Sequence, residues 1–367
     1  MLRNKTALTV SQELLSKHDL YASDAEFVEV IINGQYWGVY LLVEHQQVNK
    51  YRVNISEVPE GYTGTDIGYF IEFDGYYWGE DPLQQFRIDF MDNAPLLAFD
   101  GEGGQRLMTC LSHPDYGQKS DIGFAIKSDI YSETQRNFIA SFVDNVYNIM
   151  YYAAYEDTVY VFNEDYTQIQ MTTDITPMEA VSRVVDVQSL VDTYIINELL
   201  CDADIYFSSF FMSVDFAPER NKKLTFQAPW DFDSGLGIKD RCIDGTGFYA
   251  SNIVPDVSGN NFETINPWLV VLIHEDWFQE SVKDTWTVAY DDGAFSRTLA
   301  MITEDTDRCQ AAFLRNYEKW NITDIYNAYV YEHSYEAMQC KDQKESADFL
   351  AHWFEKRVNF LNSHWHR

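Results

Sequence analysis

Apolar residues recur at helical spacing through residues 2–17, LRNKTALTVSQELLSK, where Leu2, Ala7, Val10, Leu14 and Leu15 fall near one stripe. The period then shortens to two. Two runs rich in β-branched and aromatic residues, EFVEVII and QYWGVYLLV, flank Asn33-Gly34, a strong short-range hairpin signal. Val28, Val30 and Ile32 share one face of the first run. Residues 68–80, GYFIEFDGYYWGE, predict a further strand with a turn at Asp74-Gly75. Residues 98–121 are rich in Gly, Asp and Ser, and predict a surface excursion.

The helical period returns in SETQRNFIASFVDNVYNIMYYAAY, opened by a capping box at Ser132 and Gln135. A second strong helix, DVQSLVDTYIINELLCDAD, has Asp186 as its cap. SSFFMSVDF and KKLTFQAPWDF then predict an antiparallel pair around the turn APERNK, and the pattern from residue 263 onward is helical. This order predicts an α+β fold and one domain over residues 1–367. Its strand-rich part runs to about residue 130, and the 205–237 strand pair lies inside the mostly helical remainder.

Composition adds limits. Hydrophobic residues make up 46% and aromatics 16%, enough for a sizeable core. No run approaches the roughly 18 apolar residues of a membrane span, so membrane insertion is not expected. The first residues have no apolar signal-peptide region. Lys and Arg number 26 against 58 Asp and Glu, a net charge of −32. That charge repels nucleic acid and anionic membranes, and leaves room for a basic protein partner or a metal-bridged anion. Cys110, Cys201, Cys242, Cys309 and Cys340 form no zinc-type pair and are expected to be mostly buried small hydrophobes, with one long-range disulfide left open.

The chemistry concentrates in LTFQAPWDFDSGLG, residues 224–237. On a strand, Asp231 and Asp233 point one way and Phe232 the other. Two neighbouring carboxylates repel unless a cation lies between them, and magnesium is held by one or two carboxylates together with phosphates. Gly235 and Gly237 allow close backbone approach to a ligand. The alternative is that Asp231 caps a turn and Asp233 starts a helix. Asp202 and Asp204 end the preceding helix, and a hairpin would return the chain to place Asp204 beside Asp231. Phosphoryl-transfer sites pair a hydroxyl-accepting aspartate with a later metal-holding one.

The hairpin motif N-G-x-Y-x-G-x-Y-x-L-x-E, residues 33–44, combined with PWDFD, resembles the spore-coat CotH kinase family. LRNKTAL, LVDTYIINELLCDAD, SFFMSVD and NPWLVVLIHEDWFQESVKDTW resemble it too. The resemblance implies an atypical, two-lobed protein-kinase fold, with a strand-rich N-terminal lobe, a helical C-terminal lobe, and ATP with magnesium or manganese between them. It implies transfer of the γ-phosphate to serine or threonine of a protein. By motif, Asp204 matches the catalytic aspartate, Asp231 the metal-binding aspartate and Asp233 the second carboxylate of the motif. Glu44 closes the hairpin motif and is expected to orient a cation or lysine near the nucleotide.

Two departures stand out. Ser209 occupies a position that is commonly asparagine in the family, and is expected to ligate the metal with shorter reach. The chain also starts at the arginine-bearing helix, so the N-terminal lobe reads as truncated. These departures carry the alternative reading: a weakened pseudokinase or a cell-surface adhesion module of the same fold. A two-carboxylate glycoside hydrolase suits the aromatic content but not the motif set. Lys127 is a candidate for neutralising phosphates, Glu72 for facing the nucleotide, and Arg3 with Asn4 for facing the cleft. Acidity and aromatic content resemble exported proteins of gut bacteria, so an extracellular or cell-surface place within a larger secreted multidomain protein is expected.

Overall fold

The computed structural model describes residues 1–101, 103–109, 122–239, 243–255, 263–320 and 333–367. Helix α1 (Leu2–Leu15) continues into a 3-10 turn ending at His18. Strands β1 (Ala25–Ile32) and β2 (Gln35–Val43) form the expected hairpin. Asn33 (φ 53°) and Gly34 (φ 77°) supply the two left-handed positions that its turn needs. Next come β3 (Gly68–Asp74), β4 (Gln85–Phe86) and a left-handed turn α2 (Phe90–Asn93). Strands β5 (Leu96–Phe99) and β6 (Gln105–Met108) pair, so the expected surface excursion opens on a two-stranded ribbon. Residues 110–121 of it lie outside the described residues.

Strand β7 (Gly123–Ile126) leads to α3 (Glu133–Tyr155), whose Ser132–Gln135 capping box is formed. A ribbon of β8 (Tyr160–Phe162) and β9 (Ile169–Met171) precedes α4 (Pro177–Val184). Helix α4 is not among the elements expected from the sequence, although its Thr176–Glu179 capping box and Pro177 lie within four residues of each other. Helix α5 (Val187–Leu200) starts from its Asp186 cap. Strand β10 (Phe210–Asp215) and the two-residue β11 (Thr225–Phe226) follow, then the small pair β12 (Val254–Pro255) and β13 (Glu263–Thr264). The rest is helical: α6 (Pro267–Val270), α7 (Asp276–Asp291), α8 (Ala294–Arg308), α9 (Gln310–Lys319), α10 (Tyr335–Met338) and α11 (Gln343–Trp365). Among the described residues no helix is long and apolar enough to cross a membrane.

Five antiparallel strands form the central sheet in the order β11-β10-β3-β7-β4. Strands from either side of residue 130 therefore share it. Alternation along β3 and β10 sorts their side chains onto two faces. Tyr69, Ile71, Phe73, Phe210 and Met212 enter the main core, where Trp268 packs against Phe90, Phe124, Tyr147 and Phe226. On the other face Phe70 and Phe211 stack at 5.4 Å over a smaller cluster with Tyr21, Val53, Ile55 and Ala228. Glu72 lies cross-strand from Phe211 and Ala125 on that second face.

Helix α5 is buried from Ser189 to Leu200. Its buried charges are paired, as burial demands. Asp192 meets His18 at 2.6 Å. Glu198 meets Arg357 of α11 at 2.6 Å, with both side chains fully buried. The Glu198 carboxylate also accepts from the Tyr249 and Ala250 backbone N–H groups. Arg357 donates further to the Glu198 and Gly247 carbonyls.

Candidate active site

Helix α5 stops because Cys201 turns left-handed (φ 49°), which throws the chain toward the end of the central sheet. The following loop is fixed from three sides. The Gly75 N–H donates to the Phe207 carbonyl at 2.6 Å, Asn266 donates to the Ile205 carbonyl at 3.1 Å, and the Ser209 N–H donates to the Glu72 carboxylate at 3.0 Å. A side chain at Gly75 would collide with the Phe207 ring, 2.5 Å from where its Cβ would stand. Asp202 is thereby buried, whereas Asp204 is half-buried.

The acidic loop arrives from β11. It is not a strand: β11 ends at Phe226, and Ala228 (φ 59°) and Asp231 (φ 65°) break the extension. The sorting of side chains expected of a strand survives in this loop, since Phe232 is buried and Asp231 and Asp233 reach solvent. The two glycines let the loop approach the rest of the chain closely. A Cβ on Gly235 would lie 2.9 Å from the Leu200 carbonyl oxygen, and one on Gly237, already left-handed, 2.6 Å from the Trp353 ring. The Leu236 N–H donates to the same Leu200 carbonyl at 2.7 Å, which docks the loop on the end of α5.

This docking joins the two acidic motifs. The Ser234 hydroxyl is 2.7 Å from Asp202 Oδ1 and 2.5 Å from Asp204 Oδ1. Burial, and after it the charge of Asp204, pushes the Asp202 carboxyl well above the usual carboxylate range. Its neutral form is thereby favoured, and the Ser234 hydroxyl stands between the two carboxyl groups with one proton to donate. Asp231 is also pushed up, by partial desolvation and then by the charges of Asp233 and Asp204, against a 3.4 Å hydrogen bond from the Ser209 hydroxyl. Asp204, Asp231, Asp233 and Ser209 thus share one electrostatic neighbourhood.

A second group adjoins it. Lys127 bridges Glu72 and Glu80, both at 3.0 Å. Burial pushes the Glu72 carboxyl up against the pull of Lys127. Glu72 therefore ties Lys127 to Ser209, and Ser209 to Asp231. Two candidates have other partners. Glu44 accepts from the Asp24 N–H at 3.2 Å and the Tyr21 hydroxyl at 3.5 Å, which closes the hairpin. Arg3 donates to the Leu236 carbonyl at 3.4 Å and stacks on Phe349, which pins α1 to the acidic loop.

Among the described residues no three His, Cys, Asp or Glu side chains gather closely enough to hold a metal by themselves. The donors present are hard oxygens around mutually repelling carboxylates. They suit a divalent ion held by one or two carboxylates and completed by phosphate and water. Beside the loop lies a cavity of about 200 Å³ lined by Asn4, Leu8, Leu41, Val43, Trp230 and Asp231, among others. A more polar cavity of about 300 Å³, lined in part by Arg3, Asn4, Asp233, Tyr317 and His333, lies on the Asp233 side.

The model of the CotH kinase protein family matches residues 1–361. The chain belongs to the CotH kinase family. With that membership goes the α+β, two-lobed, kinase-like architecture. No curated relative matches the chain. Sequence reasoning had not singled out Ser234 or Glu80. Ser234 directly follows D-x-D and was visible as a possible carboxylate partner, whereas nothing local marks Glu80 as a partner of Lys127. Of the cysteines, Cys201 is buried as expected, but Cys309 and Cys340 are free and partly exposed. Cys110 and Cys242 lie outside the described residues.

Proposed function

We propose that this CotH-family chain transfers the γ-phosphoryl group of ATP, with magnesium or manganese, to a serine or threonine hydroxyl of a basic segment of a protein. The supporting observation is the link made by Ser234. It holds the Asp204 carboxylate next to the metal-type loop, close enough for Asp204 to act on the charge of Asp231. Asp204 accepts the proton of the acceptor hydroxyl as its oxygen bonds to the γ-phosphorus and the bond to the β-γ bridging oxygen breaks, releasing ADP. The Ser234 hydroxyl orients that carboxylate. Asp231, with Asp233 or Ser209, would hold the divalent ion, which supplies neutralisation of phosphate charge. Lys127 supplies a cation on the same side through Glu72 and Ser209. A net charge of −32 attracts a basic acceptor and favours its encounter. The acceptor is proposed to be an exported or cell-surface protein.

Incubation with labelled ATP, manganese or magnesium, and a basic protein tests this reading. Label passes to the protein with the unaltered chain and is lost with Asp204→Asn and with Asp231→Ala. Transfer that survives both substitutions overturns it.

A further inference from the structure

A cavity of about 360 Å³ lies at the other end of α5 and β10 from the acidic loop. The Asp186 cap of α5 lines it, and the 14 residues of that helix set it about 21 Å from the turn that leads to Asp204. Its floor is the second face of the sheet, at Ser213, Thr225 and Gln227. These buried groups are bonded within the protein. Gln227 Nε2 donates to Ser213 Oγ at 2.6 Å, Gln227 Oε1 accepts from the Tyr21 N–H at 3.3 Å, and the Thr225 hydroxyl donates to the Lys223 carbonyl at 3.2 Å. The volume falls in the range of small-molecule pockets.

The turn between β10 and β11 brings cations to this cavity. Residues 220–223, RNKK, hold three Lys or Arg, as no other four-residue stretch of this chain of net charge −32 does. Lys222 lies over the Tyr166 ring, whereas Arg220 and Lys223 line the cavity. The buried Asp215 holds Arg220 Nε at 3.0 Å, and accepts as well from the Ser56 N–H and hydroxyl and the Ala217 N–H. The guanidinium is thus anchored by one edge, and its Nη atoms have no partner among the described residues. Lys223 Nζ has no carboxylate partner among them either. His18 is anchored in the same manner: the buried Asp192 takes Nδ1 at 2.6 Å and favours the charged ring, which leaves Nε2 over. Of the other carboxylates at the cavity, Asp186 accepts from the Ser189 N–H, and Asp19 and Glu219 are exposed, where solvent and salt screen them.

We propose that this cavity binds a phosphate monoester, with the phosphate on Arg220, Lys223 and His18 and the organic part against Leu20 and Ile55. A phosphate group carries about −1.5 to −2 charge and three strong acceptor oxygens, one for each of these cations. A guanidinium fork already held by its Nε edge presents its remaining donors to such oxygens without further ordering. A carboxylate offers only two oxygens and one charge, and leaves one of the cations unmatched. The acidic loop does not compete for the same ligand, because without a divalent ion its carboxylates repel phosphate. The site is therefore separate from the proposed transfer reaction in place and in chemistry.

Titration calorimetry without ATP or divalent metal tests the site. The ligands are N-acetyl-O-phosphoserine amide and glycerol 3-phosphate, which represent a phosphorylated chain and a free metabolite. Inorganic phosphate and N-acetylserine amide are the controls. The unaltered chain is expected to bind at least one ester more tightly than either control, and the tighter ester names the source. Lys223→Gln and Arg220→Gln are each expected to weaken it by about tenfold or more, the scale of one lost charged hydrogen bond, and Asp231→Ala to leave it unchanged. Circular dichroism checks folding, and Lys223→Gln keeps the test decisive if loss of the Arg220–Asp215 pair unfolds the turn. No binding of either ester, binding no tighter than that of the controls, or equal affinity in Lys223→Gln overturns the site. Loss of binding in Asp231→Ala overturns it too, by placing the phosphate at the acidic loop.

Discussion

The Ser234 hydroxyl lies 2.5 Å from Asp204 Oδ1, and it carries only one proton for the two carboxyl groups it touches. Burial, and after it the charge of Asp204, favours the neutral form of Asp202. Ser234→Ala removes a hydrogen bond to a charged group, a loss of about 1.5–3 kcal/mol. The phosphoryl-transfer kcat is expected to fall about tenfold to a hundredfold with the KM for ATP nearly unchanged. Ser234→Thr, which keeps the hydroxyl, retains more activity than the alanine. Steady-state kinetics on the three proteins decide the matter, and a rise in KM alone contradicts the assignment.

Ser209 stands at φ 62°, in the left-handed region, with its hydroxyl 3.4 Å from Asp231. Asparagine tolerates that backbone better than serine and reaches further. Ser209→Asn is expected to preserve the melting temperature and to lower the manganese concentration needed for half-maximal ATP binding, while Ser209→Ala raises it. Identical metal titrations for all three would remove Ser209 from the metal site.

Glu198 and Arg357 are fully buried, so removing one leaves an uncompensated charge. Arg357→Met is expected to destabilise the fold by about 3–5 kcal/mol, and the double variant with Glu198→Gln by less than the sum of the single changes. Chemical denaturation of the four proteins measures the coupling. Additive losses would mean that the pair acts as two independent packing elements.

The hydrogen bond with Asp192 raises the pKa of His18 above its ordinary value, against the opposing effect of burial. The protonated form is thus favoured in the folded state. Its contribution is fully present below about pH 6.5, the unfolded value, and is lost as pH rises through the higher folded value. The melting temperature is expected to drop more between about pH 6 and pH 8 for the unaltered chain than for His18→Gln. Equal slopes would show that the pair does not couple to folding.

The hairpin at Asn33-Gly34, the capping box of α3 and the capped start of α5 were legible because their causes lie within a few residues of each other. The two acidic motifs were legible as chemistry, and their meeting was legible as a consequence of the returning β10–β11 pair. The mechanism of that meeting was not. Asp231 lies in a left-handed loop, not on a strand, because Gly235 and Leu236 dock on Leu200, and no local periodicity encodes a dock. The Ser209–Glu72 bond spans 137 positions and depends on β10 pairing with β3. The left-handed turn at Phe90–Asn93 has no glycine to announce it. Glu44 and Arg3 show the converse, where a motif position was recognised but the local partners were not foreseeable.

Arg357 and Trp353 both come from the last helix, and they brace the Glu198 carboxylate and the Gly237 turn that flank the acidic residues. During synthesis, Asp204, Asp231 and Asp233 leave the ribosome well before either brace exists. A nascent chain therefore carries Asp204, Asp231 and Asp233 without these contacts until α11 has been made. The acidic groups and the contacts that hold their flanks are thus separated in time as well as in sequence.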